Sequence, residues 1–198
     1  MTRALIVIDV QNDFCPGGAL AVPGGDEIVA GINALMAEVE AVVLTQDWHP
    51  AGHSSFASSH AGNAAYEMIE MPYGPQVLWP DHCIQGTDGA LFHDHLNTDR
   101  ADMIVRKGYR PAIDSYSAFF ENDHTTPTGL DGYLRTRGIK DLTMVGLATD
   151  FCVNFSAVDA AKLGFKVDVR MDLCRAIDLD GSLAAAQSGM TAAGVTLV

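Results

Sequence analysis

The chain is predicted to form a doubly wound α/β fold on a six-stranded, mostly parallel sheet with helices on both faces. Three observations lead there. Six short apolar runs rich in β-branched residues recur along the 198 residues. These runs are apolar at nearly every position instead of alternating, as strands covered on both faces require. Helical periods lie between several of them, and strand–helix alternation implies parallel strands joined by right-handed crossovers.

The elements follow in order. Residues 4–8 form the first strand. Asp26 can cap a helix whose Ile28, Ile32, Leu35 and Val39 share one face. Residues 41–45 are the second strand. Residues 48–100 break the alternation, with Pro, Gly, His and Trp and only a weak helical or strand pattern. Residues 103–105 are the third strand. Residues 108–126 are irregular again and carry Tyr109, Tyr116, Phe119 and Phe120. Long irregular segments inside a compact domain are usually functional or mobile, so residues 48–80 are a candidate lid. Leu130, Leu134 and Ile139 mark a helix that starts near Thr126-Pro127 and ends near Gly138. Residues 142–147 are the fourth strand, and Phe151, Phe155 and Val158 line the helix after it. Residues 165–169 are the fifth, with Asp172 expected to cap the loop at its end. Leu183, Ala186, Met190 and Ala193 line the last helix, and residues 195–198 close the sheet. With no linker, repeat or low-complexity tract, one domain is expected over residues 1–198.

Composition excludes several function classes. A content of 48% hydrophobic and 19% charged residues is that of an ordinary globular enzyme. A formal charge of −13 argues against a nucleic-acid partner and against docking on anionic lipid. No stretch approaches the ~18 apolar residues of a membrane span. Met1-Thr-Arg3 runs directly into an apolar strand and then Asp9, so no signal peptide is expected and the cytoplasm is the expected compartment. Cys15, Cys83, Cys152 and Cys174 show no CxxC spacing, which suits free thiols in a reducing compartment. A homo-oligomer is possible.

In open parallel sheets, ligands bind beyond the carboxyl ends of the strands. Here those ends carry Asp9, Asp47, Lys107 and the Ala148–Cys152 turn. Two carboxylates, an amine and a thiol therefore converge on one side of the sheet. Charge beside a core is costly unless it is paired, so solubility does not explain the set. Cys152 opens a helix, where unpaired N–H groups and the helix dipole favour thiolate and can hold an oxyanion. Asp9 can take the thiol proton while Lys107 keeps both anions tolerable; a structural ion pair is the plainer alternative. Asp47, His49 and His82, with His53 nearby, form an oxygen and nitrogen set suited to one divalent metal ion, Zn, Fe or Mn. A surface Asp and packed histidines are the alternative. His60, His93, His95 and His124 read as exposed loop residues. Phe14, Leu20, Trp79, Tyr116 and Phe119 are candidate walls for a flat ring, and simple packing is the alternative for each.

Asp9-Val-Gln-Asn-Asp-Phe-Cys15, Asp47-Trp-His49-Pro, Trp79-Pro-Asp-His82-Cys83, Lys107-Gly and Gly146-Leu-Ala-Thr-Asp-Phe-Cys152 together resemble the nicotinamidases, a branch of the isochorismatase-like cysteine hydrolases. The resemblance implies the isochorismatase-like fold and deamidation of nicotinamide to nicotinate and ammonia in NAD salvage. It implies Cys152 as nucleophile, Asp9 as general base and acid, and Lys107 as their electrostatic partner. Backbone N–H groups of Ala148 and Cys152 are then the oxyanion hole, and Asp47, His49 and His82 the metal ligands. His53 is expected to ligate the metal or to contact a metal-bound water. The bond between Leu147 and Ala148 matches a cis peptide in the family. Pyrazinamide should be accepted too, because a pocket reading one ring nitrogen and one carboxamide has little means of rejecting it. Alternative readings are an amidase of the same superfamily acting on a carbamoyl or ureido substrate, an ester or enol-ether hydrolase with a dispensable cysteine, and a non-enzymatic metal- or ligand-binding domain.

Overall fold

A computed structural model describes residues 3–198; Met1 and Thr2, where the expectation about an export signal begins, lie outside the described residues. The chain runs β1 (Arg3–Ile8), α1 (Val29–Met36), β2 (Ala41–Asp47), β3 (Met68–Met71), β4 (Gly74–Val77), β5 (Met103–Lys107) and α2 (Leu130–Thr136). It continues through β6 (Asp141–Leu147), α3 (Asn154–Lys162), β7 (Lys166–Arg175), α4 (Ser182–Ala192) and β8 (Thr196–Leu197). One six-stranded sheet has the order β5-β2-β1-β6-β7-β8, and every pairing in it is parallel.

β1 from Ala4 onward and β2 along its whole length are buried, so the sheet is covered on both faces; these strands are apolar until Thr45, Gln46 and Asp47 at the carboxyl end of β2. The strand order explains where a site can form. From β1 the chain moves outward to β2 and β5, then returns to the other side of β1 as β6. That reversal leaves a crevice at the carboxyl ends of β1 and β6. Gly146 permits the close approach of these two strands. Its φ is +120°, and a Cβ there would stand 2.1 Å from the Ile8 carbonyl oxygen. The adjoining ladder to β7 shifts register between Met144 and Gly146.

Several expectations need correction. The first helix begins at Val29, and the Asp26 side chain does not cap it; only the Asp26 carbonyl accepts, from Val29 N–H. Val39 lies beyond that helix. The second starts at Leu130, not near Thr126-Pro127, because Pro127 bridges to Phe120 and Gly129 turns left-handed at φ 102°. β7 continues to Arg175, so Asp172 lies inside it as an exposed partner of Arg170 at 2.7 Å, not as a loop cap. His60 and His93 are half-buried, and the His60 ring meets the Ser54 carbonyl. Residues 48–100 hold 3₁₀ turns and an antiparallel hairpin, β3–β4, that was not foreseen. Among the described residues, no helix is long and apolar enough to cross a membrane.

Candidate active site

Each chemical side chain leaves the sheet where its strand ends. The β2–β5 ladder pairs Asp47 with Lys107, and the Trp48 N–H extends it by donating to the Lys107 carbonyl. Gln11 bonds the Asp47 backbone on both sides, its Oε1 accepting from Asp47 N–H at 2.8 Å and its Nε2 donating to Asp47 O at 2.9 Å. His49 pairs with Ile84 in a parallel bridge, which brings the loop carrying His82 against it. Asp9 turns left-handed (φ 47°) just past β1. A non-glycine residue holds that conformation only where the surroundings over-determine it. Here Thr45 does so: its hydroxyl accepts from Asp9 N–H at 3.1 Å and donates to Asp9 Oδ1 at 2.6 Å.

Lys107 is wholly buried at the centre of the site. Its Nζ lies 2.8 Å from Asp9 Oδ2, 2.5 Å from Asp47 Oδ1, 2.8 Å from the Ser115 carbonyl and 3.5 Å from Cys152 Sγ. Burial alone would push the amine down, but Asp47 and Asp9 outweigh it and hold Lys107 well above its ordinary range. Burial pushes the Asp9 carboxyl up to about 6 even against the attraction of Lys107. Burial would also raise Asp47, yet Lys107 and then His49 hold it below the ordinary carboxylate range.

Cys152 sits in a π-type turn, Thr149–Val153, that leads into α3. The Leu147–Ala148 peptide before it is cis, as expected. Helix-end stabilisation of thiolate does not win here. Burial pushes the Cys152 thiol well above its ordinary range despite Lys107, so the resting group is a thiol and needs a base.

The second half of the site has the donor set of a metal centre. Ligand atoms of Asp47, His49 and His82 lie within 4.8 Å of one another, and all three residues are buried. His49 Nδ1 is 2.8 Å from the Gly108 carbonyl and His82 Nδ1 2.8 Å from the Pro80 carbonyl. Each ring therefore donates through Nδ1 and keeps its Nε2 lone pair, the arrangement metal-binding histidines show. His49 Nε2 is buried without a hydrogen-bond partner among the described residues. It stands 3.7 Å from Asp47 Oδ2, and His82 Nε2 stands 3.9 Å from the same oxygen. Ligands of a tetrahedral ion at about 2.1 Å stand roughly 3.4 Å apart, so modest closure would let these three donors share one ion. Asp47 Oδ1 meanwhile remains with Lys107.

His53 behaves differently. Its ring packs 4.5 Å from that of His49. Its Nε2 faces the carbonyls of Arg110 and Ile113 at 2.9 and 3.2 Å, and its Nδ1 accepts from Ser55 N–H at 3.2 Å. Neither nitrogen keeps a free lone pair. His53 braces the loops behind His49, and it also forms a second buried donor group with His49 and Asp114.

A small cavity adjoins both halves. Phe14, Leu20, Trp79 and Tyr116 line it, with Asp47, His82, Ala148 and Cys152. Phe119 does not; it is buried in the core against Phe165, at 5.9 Å between ring centroids. Asp114, Phe151 and Ile177 also line the cavity and were missed from sequence. Phe151 adjoins Cys152 in the chain, and that adjacency was an available signal. Asp114 lies in a segment without pattern, and Ile177 reaches the cavity only through the fold. The Tyr116 hydroxyl accepts from Trp79 Nε1 at 3.0 Å and from Gln76 Nε2 at 2.8 Å, which anchors one wall to β4. Cys15, Cys83 and Cys174 are buried and lie outside the cavity lining.

A buried thiol, carboxylate and ammonium at the carboxyl edge of a parallel sheet are the parts of a cysteine hydrolase. The model of the family described as the isochorismatase domain matches residues 3–198, and the chain belongs to that family. It is 54% identical over 192 residues to a nicotinamidase of Acinetobacter baylyi, spanning 97% of this chain and 90% of the relative. Its structure is similar to that of a nicotinamidase/pyrazinamidase of Acinetobacter baumanii, with a TM-score of 0.98, 56% identity and coverage of 100% and 95% of the two chains. It is also similar to a pyrazinamidase of Pyrococcus horikoshii solved in complex with zinc, with a TM-score of 0.79, 34% identity and coverage of 100% and 99%.

Proposed function

We propose that this hydrolase converts nicotinamide to nicotinate and ammonia, accepts pyrazinamide as well, and works through a thioester on Cys152. The observation that carries the reading is that one cavity is lined both by Cys152 and by Asp47 and His82 of the metal-type donor set. A carboxamide can meet the thiol while the ring reaches the other half.

Asp9 accepts the Cys152 proton, and the sulfur attacks the carboxamide carbon. Lys107, 3.5 Å from the sulfur, stabilises the thiolate as it forms. Backbone N–H groups of Ala148 and Cys152 receive the oxyanion; one such donor contributes about 2.7–4 kcal/mol in other hydrolases. Asp9 protonates the nitrogen, the C–N bond breaks and ammonia leaves. Asp9 then takes a proton from water, whose oxygen attacks the thioester carbon. The C–S bond breaks, nicotinate leaves, and the proton returns to sulfur. A divalent ion held by Asp47, His49 and His82, with Zn, Fe or Mn suiting these donors, would supply a Lewis-acidic anchor for the ring nitrogen.

The reading places residues 1–198 in one domain that acts in the cytoplasm, in NAD salvage. The net charge of −13 supports a small-molecule substrate over a nucleic-acid partner.

The test is ammonia release from nicotinamide by purified protein, before and after verified metal removal, beside Cys152→Ala. Expected are metal-dependent release in the parent and a loss of roughly 10⁴-fold or more in the variant, with metal content retained. Release by Cys152→Ala at the parental rate would refute the nucleophile. A parent inactive with Zn, Fe and Mn would refute the substrate.

A further inference from the structure

Asp150 lies two residues before Cys152 in the same turn and is 4% exposed, yet the chemistry above makes no use of it. Its carboxylate accepts three hydrogen bonds, all from one distant segment. Oδ1 accepts from Ile177 N–H at 3.1 Å; Oδ2 accepts from Asp178 N–H at 2.8 Å and from the Ser182 hydroxyl at 2.5 Å.

That segment runs from the end of β7 into Ser182, the first residue of α4. Its backbone is left-handed at Asp178 (φ 55°), Asp180 (φ 51°) and Gly181 (φ 84°). Non-glycine residues keep such conformations only where partners hold them. Ile177 is the residue of this segment that reaches the cavity, where it meets the space shared with Ala148 and Cys152.

We infer that Asp150 is a positioning residue that clamps the Ile177 wall to the nucleophile turn, and that Ile177 limits the size of ring the cavity admits. The inference deepens the nicotinamide reading and rests on it for the substrate. An ionised carboxylate is acceptor-only, so it can serve two backbone N–H groups and a hydroxyl together. An amide cannot, because its NH₂ would face an N–H. The clamp therefore sets where the Ile177 side chain stands relative to Cys152 Sγ. Loosening it lets the wall recede, which admits a bulkier ring.

The experiment compares kcat/KM for nicotinamide and for a ring-methylated nicotinamide on the full chain. Ile177→Ala should raise the ratio of methylated to plain substrate about tenfold, the scale one methyl group carries in an apolar pocket. Asp150→Asn should raise it in the same direction, and the double variant should match Ile177→Ala alone. An unchanged ratio in Ile177→Ala overturns the wall. An unchanged ratio in Asp150→Asn, with both substrates slowed alike, overturns the clamp. Should Asp150→Asn fail to fold, Ser182→Ala removes one of the three bonds and decides: a shift of about twofold supports the clamp, and none overturns it. Amide exchange at Ile177 and Asp178 reads the clamp without substrate; exchange in Ser182→Ala or Asp150→Asn no faster than in the parent overturns it. A parent that releases no ammonia from nicotinamide refutes the substrate reading alone, and the exchange result still stands.

Discussion

Lys107 Nζ lies 3.5 Å from Cys152 Sγ and, on its other sides, contacts the carboxylates of Asp9 and Asp47. One cation is thus shared by the nucleophile, the base and a carboxylate of the metal-type set. Replacing it with Met removes the charge but keeps most of the volume, leaving two buried carboxylates uncompensated. Lys107→Met should abolish ammonia release and destabilise the fold by about 3–5 kcal/mol, read by urea unfolding at neutral pH. A variant as stable as the parent would contradict the pairing.

The Asp9 carboxyl, raised by burial from an ordinary 3.8 to about 6, has consequences for both activity and stability. The base must be ionised, so kcat/KM should climb with pH along an acid limb centred near 6. Folding favours the protonated carboxyl, a contribution fully present below pH 3.8 and lost as pH rises through 6. Asp9→Asn should therefore be inactive yet melt higher than the parent at pH 7.5, with the gap closing toward pH 4. Thermal melts of both proteins across that range check the sign.

The histidines should separate by role. His49→Ala and His82→Ala should lose bound metal on dialysis, because each removes an Nε2 whose ring is oriented by a backbone carbonyl. His53→Ala should keep the metal and instead lose about 1–3 kcal/mol of stability, since the Arg110 and Ile113 carbonyls lose their donor. Elemental analysis beside unfolding curves distinguishes the two patterns, and metal loss in His53→Ala would restore it as a ligand.

Gly108→Ala is expected to act on the same centre without touching any ligand side chain. Gly108 has φ +64°, and a Cβ there would stand 2.4 Å from His49 Cε1. The ring must move or the turn must open. Metal affinity should fall about 10–100-fold, the range seen when outer supports of a ligand are disturbed. Titration with Zn, read against a competing chelator, measures it.

The strands and the strand-end residues were legible because the signal was local. Continuous apolar runs mark a covered parallel sheet, and charges at their ends stand out against it. Asp9, Asp47, Lys107 and Cys152 were found this way, and the structure gathers the other three around the Lys107 ammonium. What escaped depends on approach through space. The β3–β4 hairpin has half-exposed faces and contains Pro75 and Gly74, which blur a period-two pattern. Asp114 and Ile177 sit in segments whose position only the finished sheet defines. The thiolate expectation for Cys152 failed because sequence shows the helix end but not the burial that outweighs it. Phe119 went to the core for a similar reason: an aromatic in an irregular segment reads alike whether it faces a cavity or Phe165.

The spread of the site over four strands also constrains folding. Asp9 follows β1, Asp47 ends β2, Lys107 ends β5 and Cys152 follows β6, so the groups that meet at the ammonium are far apart along the chain. Loop closure must come before such non-local parallel pairings gain anything, which makes them late events. No hairpin or single βαβ unit can bring these four groups together. During refolding, recovery of turnover should lag the recovery of helical signal, and it serves as a clock for completion of the sheet.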